Sequence, residues 1–140
     1  MSILFDTSSG GFALKEKIKL KKWIKAVVET HHRHLGDISY KFCNDEYLLD
    51  INISYLSHDT YTDIITFDYV EGDTISGDIL ISIDRIKDNA AKYKVSFEDE
   101  LHRVMSHGVL HLLGFADHTD AEKAVMRGKE DEALKMWGLM

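Results

Sequence analysis

Apolar positions along this 140-residue chain change period from segment to segment, and each change marks an element. Residues 2–6 alternate as a short strand. Within 14–34, Leu20, Trp23, Ile24, Val27 and Val28 recur at three- and four-residue spacing, the one-sided stripe of an amphipathic helix. Ile38, Tyr40 and Phe42 alternate with Ser39 and Lys41, which predicts a strand running to Cys43. Asp45–Leu56 reads as a second helix. Asp63–Val70 and Ile75–Ile83 are rich in β-branched and aromatic residues, so both are predicted strands, joined by a hairpin-like Glu71-Gly72-Asp73-Thr74. Residues 84–94 predict a third helix. Ser96 with Asp99 opens a fourth, and Thr119 with Glu122 repeats that capping signature before a fifth, about 120–136.

That order predicts an α+β fold over a single domain, 1–140. A small, twisted, mixed sheet would carry packed helices, with the fourth helix central. No repeat, low-complexity run or linker argues for a second domain. The composition, 44% apolar and 29% charged, is ordinary for a globular chain, and at this length one core can bury roughly two-thirds of the unfolded surface. No apolar run approaches bilayer length, and Met-Ser-Ile-Leu-Phe-Asp lacks the pattern of an export signal. The lone Cys43 has no internal disulfide partner, reads as packing, and suits a reducing cytoplasm.

Chemistry concentrates in the fourth helix. His107 and His111 are four apart, so on a helix both rings occupy one face and can share one metal ion. Leu110, Leu112 and Leu113 embed the pair in apolar surroundings, where an unpartnered imidazole is costly. Gly108 costs about 1 kcal/mol relative to alanine inside a helix, which points to close backbone approach. Gly114 can stop the helix, and Asp117 and His118 return from the turn with further donors. Two helical histidines plus one returning ligand leave a coordination position open, as in catalytic zinc sites. Zinc peptidases of the HExxH type need glutamate directly after the first histidine, where this chain has Gly108; peptide hydrolysis is disfavoured unless Glu100 reaches the site.

Residues 107–114, His-Gly-Val-Leu-His-Leu-Leu-Gly, resemble the His-Gly-x-Leu-His-Leu-x-Gly segment of the YbeY endoribonucleases, bacterial ribosomal-RNA maturation factors. Thr62-Asp63-Ile64-Ile65-Thr66-Phe67 and Ser76-Gly77-Asp78-Ile79-Leu80-Ile81 resemble two strand segments of that family, and Asn52 and Tyr55 its Asn-x-x-Tyr helix end. The likeness spans roughly 40–135. It implies an α+β fold and one zinc ion per chain, with other divalent transition metals as alternatives. It also implies single-strand-specific cleavage of ribosomal RNA in maturation and ribosome quality control, with small-subunit ribosomal proteins as partners. Two departures stand out. The family's third metal-binding histidine lies six residues after the second, where this chain has Asp117, with His118 one further on; either residue is the third ligand. The family's arginine after the Asn-x-x-Tyr tyrosine is here Leu56, and Arg103, one turn before His107, is the substitute available for contacting phosphate.

The resulting expectation is metal-assisted phosphodiester cleavage with His107, His111 and Arg103 as catalytic residues. His107, His111 and Asp117 or His118 would hold the metal. Asp63 and Thr66 on the strand, and His58 and Asp59 ahead of it, are further residues that could face substrate. If both Asp117 and His118 bound, the site would be closed and structural, as in a non-catalytic ribosome-assembly factor. The net charge of −7 qualifies the RNA reading, but it is uneven: residues 14–34 carry six lysines and Arg33 against two glutamates, a local +5. Lys15, Lys19, Lys22 and Arg33 would share one side of the first helix, a solvated face or a phosphate-contacting strip. His31, His32 and His34 do not share a helical face and read as a surface cluster.

Overall fold

The computed structural model describes residues 2–9, 11–56 and 61–140. In chain order the elements are β1 (Ser2–Asp6), α1 (Lys17–Thr30), β2 (His34–Cys43), α2 (Asp45–Leu56), β3 (Ile64–Asp68), β4 (Thr74–Ser82), α3 (Ile83–Tyr93), α4 (Phe97–Leu112) and α5 (Asp120–Leu139). The four strands form one sheet in the order β1-β2-β4-β3. β1 and β2 run parallel, as do β2 and β4, and β3 is antiparallel to β4. The fold is therefore a single α+β domain with a mixed sheet, as the pattern predicted.

Period-two alternation sends the two faces of the sheet to different partners. Ile38, Tyr40, Phe42, Ile79 and Ile81 join the main core with α1, α4 and α5. There the Tyr40 hydroxyl donates to the Met105 carbonyl at 2.9 Å, and the Trp23 indole donates to the Ala133 carbonyl at 2.7 Å. Cys43, Ile65 and Leu80 face the other way and pack on Leu48 of α2. Burial pushes the Cys43 thiol up to about 11, in keeping with a packing role.

The first helix is shorter than predicted at both ends. Glu16 and His32 adopt left-handed backbone, φ 57° and 60°, which ends helical geometry on either side of 17–30. Arg33 consequently lies beyond α1 and cannot share its lysine face. His31 caps the helix, donating its backbone N–H to Val28, while His34 already belongs to β2. β2 starts four residues earlier than the alternation indicated, because a register shift between Leu35 and Ile38 breaks the periodicity. The stripe of Leu20, Trp23, Ile24, Val27 and Val28 is buried as expected. Ser96 and Thr119 cap α4 and α5 as their sequences predicted, the latter with a reciprocal box to Glu122.

Candidate metal centre

α4 is the central helix, and its burial pattern isolates the site. Between Glu100 and Leu113 only Arg103, His107 and His111 escape full burial, a strip at four-residue spacing. The absence of a side chain at Gly108 lets α4 sit against the sheet. A β-carbon there would lie 2.9 Å from Ile79 Cγ2 and 3.1 Å from Ile64 Cδ1. The close approach inferred from a glycine inside a helical run is thus the approach of β3 and β4. Gly114, at φ 101°, ends the helix; its N–H donates to the His111 carbonyl, and the Phe115 N–H reaches back to Leu110. This turn brings Asp117 over the two rings.

His107 Nε2 lies 3.3 Å from Asp117 Oδ2, and His111 Nε2 lies 3.5 Å from Asp117 Oδ1. One ligand atom from each of His107, His111 and Asp117 lies within 4.8 Å of the others, a possible metal site. Two ligands on a tetrahedral zinc with bonds near 2.0–2.1 Å are separated by about 3.3 Å, so both imidazole–carboxylate spacings suit such an ion. The nitrogen and oxygen donor set suits it too.

Glu130, from α5, supports the site from behind. His107 Nδ1–H donates to Glu130 Oε2 at 2.7 Å, which leaves Nε2 free to face Asp117. The other oxygen, Oε1, accepts from Arg103 Nη1 at 2.9 Å, and Arg103 Nη2 continues to Asp131 Oδ1 at 2.7 Å. The Glu130 carboxylate is buried, which makes both charge-assisted bonds necessary. Sequence reading missed Glu130. The signal was a carboxylate on the apolar stripe of α5, four residues after Met126 and three before Ala133, both buried.

The electrostatics follow from burial and these charges. Burial alone would depress His107, but the bond to Glu130 and the charges of Glu130, Asp117 and Asp63 outweigh it and raise its pKa above the ordinary imidazole value. His111 is lowered, by burial first and by His107 second. Asp63 and Glu100 are both raised, chiefly by burial.

The histidines open onto a cleft of about 780 Å³ bordered by β3, α2, α3, α4 and α5. Asp63 and Thr66 line it, as do Asn52 and Leu56. Glu100 lines it as well, two helical turns before His107 and outside the metal-ligand group. His118 sits at the exposed rim, its backbone N–H donating to Glu122 at 3.2 Å, and is not in that group among the described residues. Arg103 lines the wall with its guanidinium already bonded to Glu130 and Asp131. His58 and Asp59 lie outside the described residues. Among the described residues, no helix is long and apolar enough to cross a membrane.

A mixed α+β domain whose central helix presents two histidines and a returning aspartate to an open cleft defines a candidate metallohydrolase. Comparison with known proteins narrows this. A family model described as Endoribonuclease YbeY matches residues 9–138. A protein of that name from Flavobacterium psychrophilum is 51% identical over 126 residues, 90% of each chain. One from Bacteroides thetaiotaomicron is 44% identical over 136 residues, 97% of this chain and 99% of its own. The chain belongs to the endoribonuclease YbeY family. A solution structure from Thermotoga maritima shares the fold, with a TM-score of 0.68 at 22% identity, covering 97% of this chain and 89% of that one.

Proposed function

We propose that this protein is a zinc-dependent endoribonuclease that cuts single-stranded ribosomal RNA during maturation and quality control of ribosomes in the cytoplasm. The observation that carries the reading is the convergence of His107, His111 and Asp117 at the cleft, in a chain of an endoribonuclease family. These three residues would hold the ion. When bound, zinc supplies Lewis acidity, drawing charge from a phosphate oxygen and lowering the pKa of water. Nickel, cobalt or iron would suit the same donors less selectively.

The chain's own groups do the rest. Glu130 holds His107 in the tautomer that turns Nε2 towards the ion, and Arg103 holds Glu130. Through that contact Arg103 acts as a positioning residue in this scheme. His118, at the rim, moves a proton to or from the scissile phosphodiester. Asp63 and Glu100 stand on the inner wall, where burial raises both carboxyls above the ordinary carboxylate range. Small-subunit ribosomal proteins would help bring a protein of net charge −7 to its polyanionic substrate.

The alternative is an assembly factor with a closed structural metal. The position of His118 outside the ligand group leaves three protein donors, the pattern of catalytic rather than structural zinc. The test is cleavage of matched single-stranded and duplex oligoribonucleotides before chelation, after it, and after zinc is restored. The reading requires loss and recovery of single-strand cleavage. Cleavage that ignores both steps would refute it.

A further inference from the structure

The cleft has a charge problem for any nucleic-acid substrate. Among the described residues, Asp63, Asp68, Glu100, Asp117 and Glu130 all line it, and no lysine does. Two arginines line it, and they differ in kind. The Arg103 guanidinium is anchored at both terminal nitrogens, by Glu130 and Asp131, and its side chain is only 18% exposed, so its orientation is fixed by the protein. Arg127 is exposed and, among the described residues, makes no hydrogen bond or ion pair.

Its position is fixed by the same helix that supports the metal site. Arg127 precedes Glu130 by three residues on α5, so the two side chains occupy one helical face. Glu130 bonds His107, which places Arg127 about one turn along the cleft from the histidines. Its positive charge is felt by the Glu100 carboxyl, which lines the same cleft. Leu56 also lines the cleft and offers no charge.

We propose that Arg127 is the substrate-phosphate contact of this cleft, its planar guanidinium gripping the backbone phosphate next to the one that is cut. An uncommitted, exposed guanidinium is free to match phosphate with a two-pronged fork, whereas Arg103 is anchored at both terminal nitrogens to Glu130 and Asp131. The assignment rests on the RNA-cleaving reading above.

The test uses initial rates of cleavage of a single-stranded oligoribonucleotide by zinc-loaded protein at several salt concentrations. Wild type is compared with Arg127→Ala, Arg127→Lys and the charge-matched Lys87→Ala on the exposed side of α3. Arg127→Ala should lower kcat/KM about tenfold, mostly through KM, with zinc content unchanged. The slope of log kcat/KM against log salt should flatten by about 0.7, the value of one phosphate contact on a single strand. Arg127→Lys should keep the slope and lose part of the affinity. Arg127→Ala kinetics indistinguishable from those of Lys87→Ala would overturn the assignment while leaving the ribonuclease reading intact. So would a rate loss that tracks lost zinc. A wild-type protein that cleaves no RNA would remove the ribonuclease reading itself, and the assignment with it.

Discussion

Replacing Glu130 with glutamine separates the support of the metal site from the fold. The carboxylate accepts from two donors, His107 Nδ1–H at 2.7 Å and Arg103 Nη1 at 2.9 Å, one on each oxygen. Glutamine has one oxygen and one NH2, so it can serve only one donor. If its oxygen stays with Arg103, its NH2 faces His107, and the ring must shift its proton to Nε2 to accept. That tautomer turns an N–H towards Asp117 and cannot bind a metal. Loss of such a supporting hydrogen bond typically costs 10–100-fold in metal affinity, or about 1.4–2.7 kcal/mol. The stability cost is smaller than the 3–5 kcal/mol of an orphaned buried charge, because Arg103 keeps Asp131 at 2.7 Å; about 1–2 kcal/mol is expected. Competition with a chromophoric chelator measures the first quantity and urea unfolding of metal-free protein the second. Asp131→Asn is the control, since it loosens Arg103 but leaves the His107 bond in place. Wild-type zinc affinity in Glu130→Gln would refute the reasoning. So would an equal loss in Asp131→Asn.

Other outcomes follow from the same geometry. Asp117→Ala should lose most bound zinc in elemental analysis while His118→Ala retains it; the reverse pattern would make His118 the third ligand. Gly108→Ala should be destabilising in urea by about 1–2 kcal/mol. Contacts of 2.9–3.1 Å with Ile79 and Ile64 outweigh the gain of about 1 kcal/mol in helix propensity. His102 is buried between Trp23 and Trp137, and burial lowers its pKa, with Lys19 adding to the effect and Asp99 and Glu16 opposing it. The unfolded chain therefore binds the proton more readily, so stability is lost as pH falls from about 6.5 through the lower folded value. His102→Gln should flatten that part of the Tm-against-pH curve, and an unchanged curve would show that another group controls it.

The parts of this fold with local codes were legible in the sequence. α2 spans Asp45–Leu56 as read, and Thr119 with Glu122 announced the start of α5, because capping is a contact between near neighbours. The ends of α1 were not, since left-handed backbone at Glu16 and His32 falls on residues other than the glycine or asparagine that usually announces a helix end. The histidine pair was visible because helical spacing alone places both rings together. Its partners were harder to see. Asp117 depended on the path of the turn after Gly114, and Glu130 reaches His107 only through the packing of α5 on α4. Arg103 illustrates the same gap: its helical face was readable, but its bonds to Glu130 and Asp131 belong to tertiary structure.

The central claim is that one ion at His107, His111 and Asp117 carries the cleavage of RNA. The direct test measures bound metal by elemental analysis and cleavage of a single-stranded ribosomal-RNA fragment, on purified wild-type and His111→Ala protein side by side. The account predicts one zinc per chain and cleavage in the wild type, and the loss of both together in the variant. A variant that has lost its metal yet cleaves at the wild-type rate would contradict it.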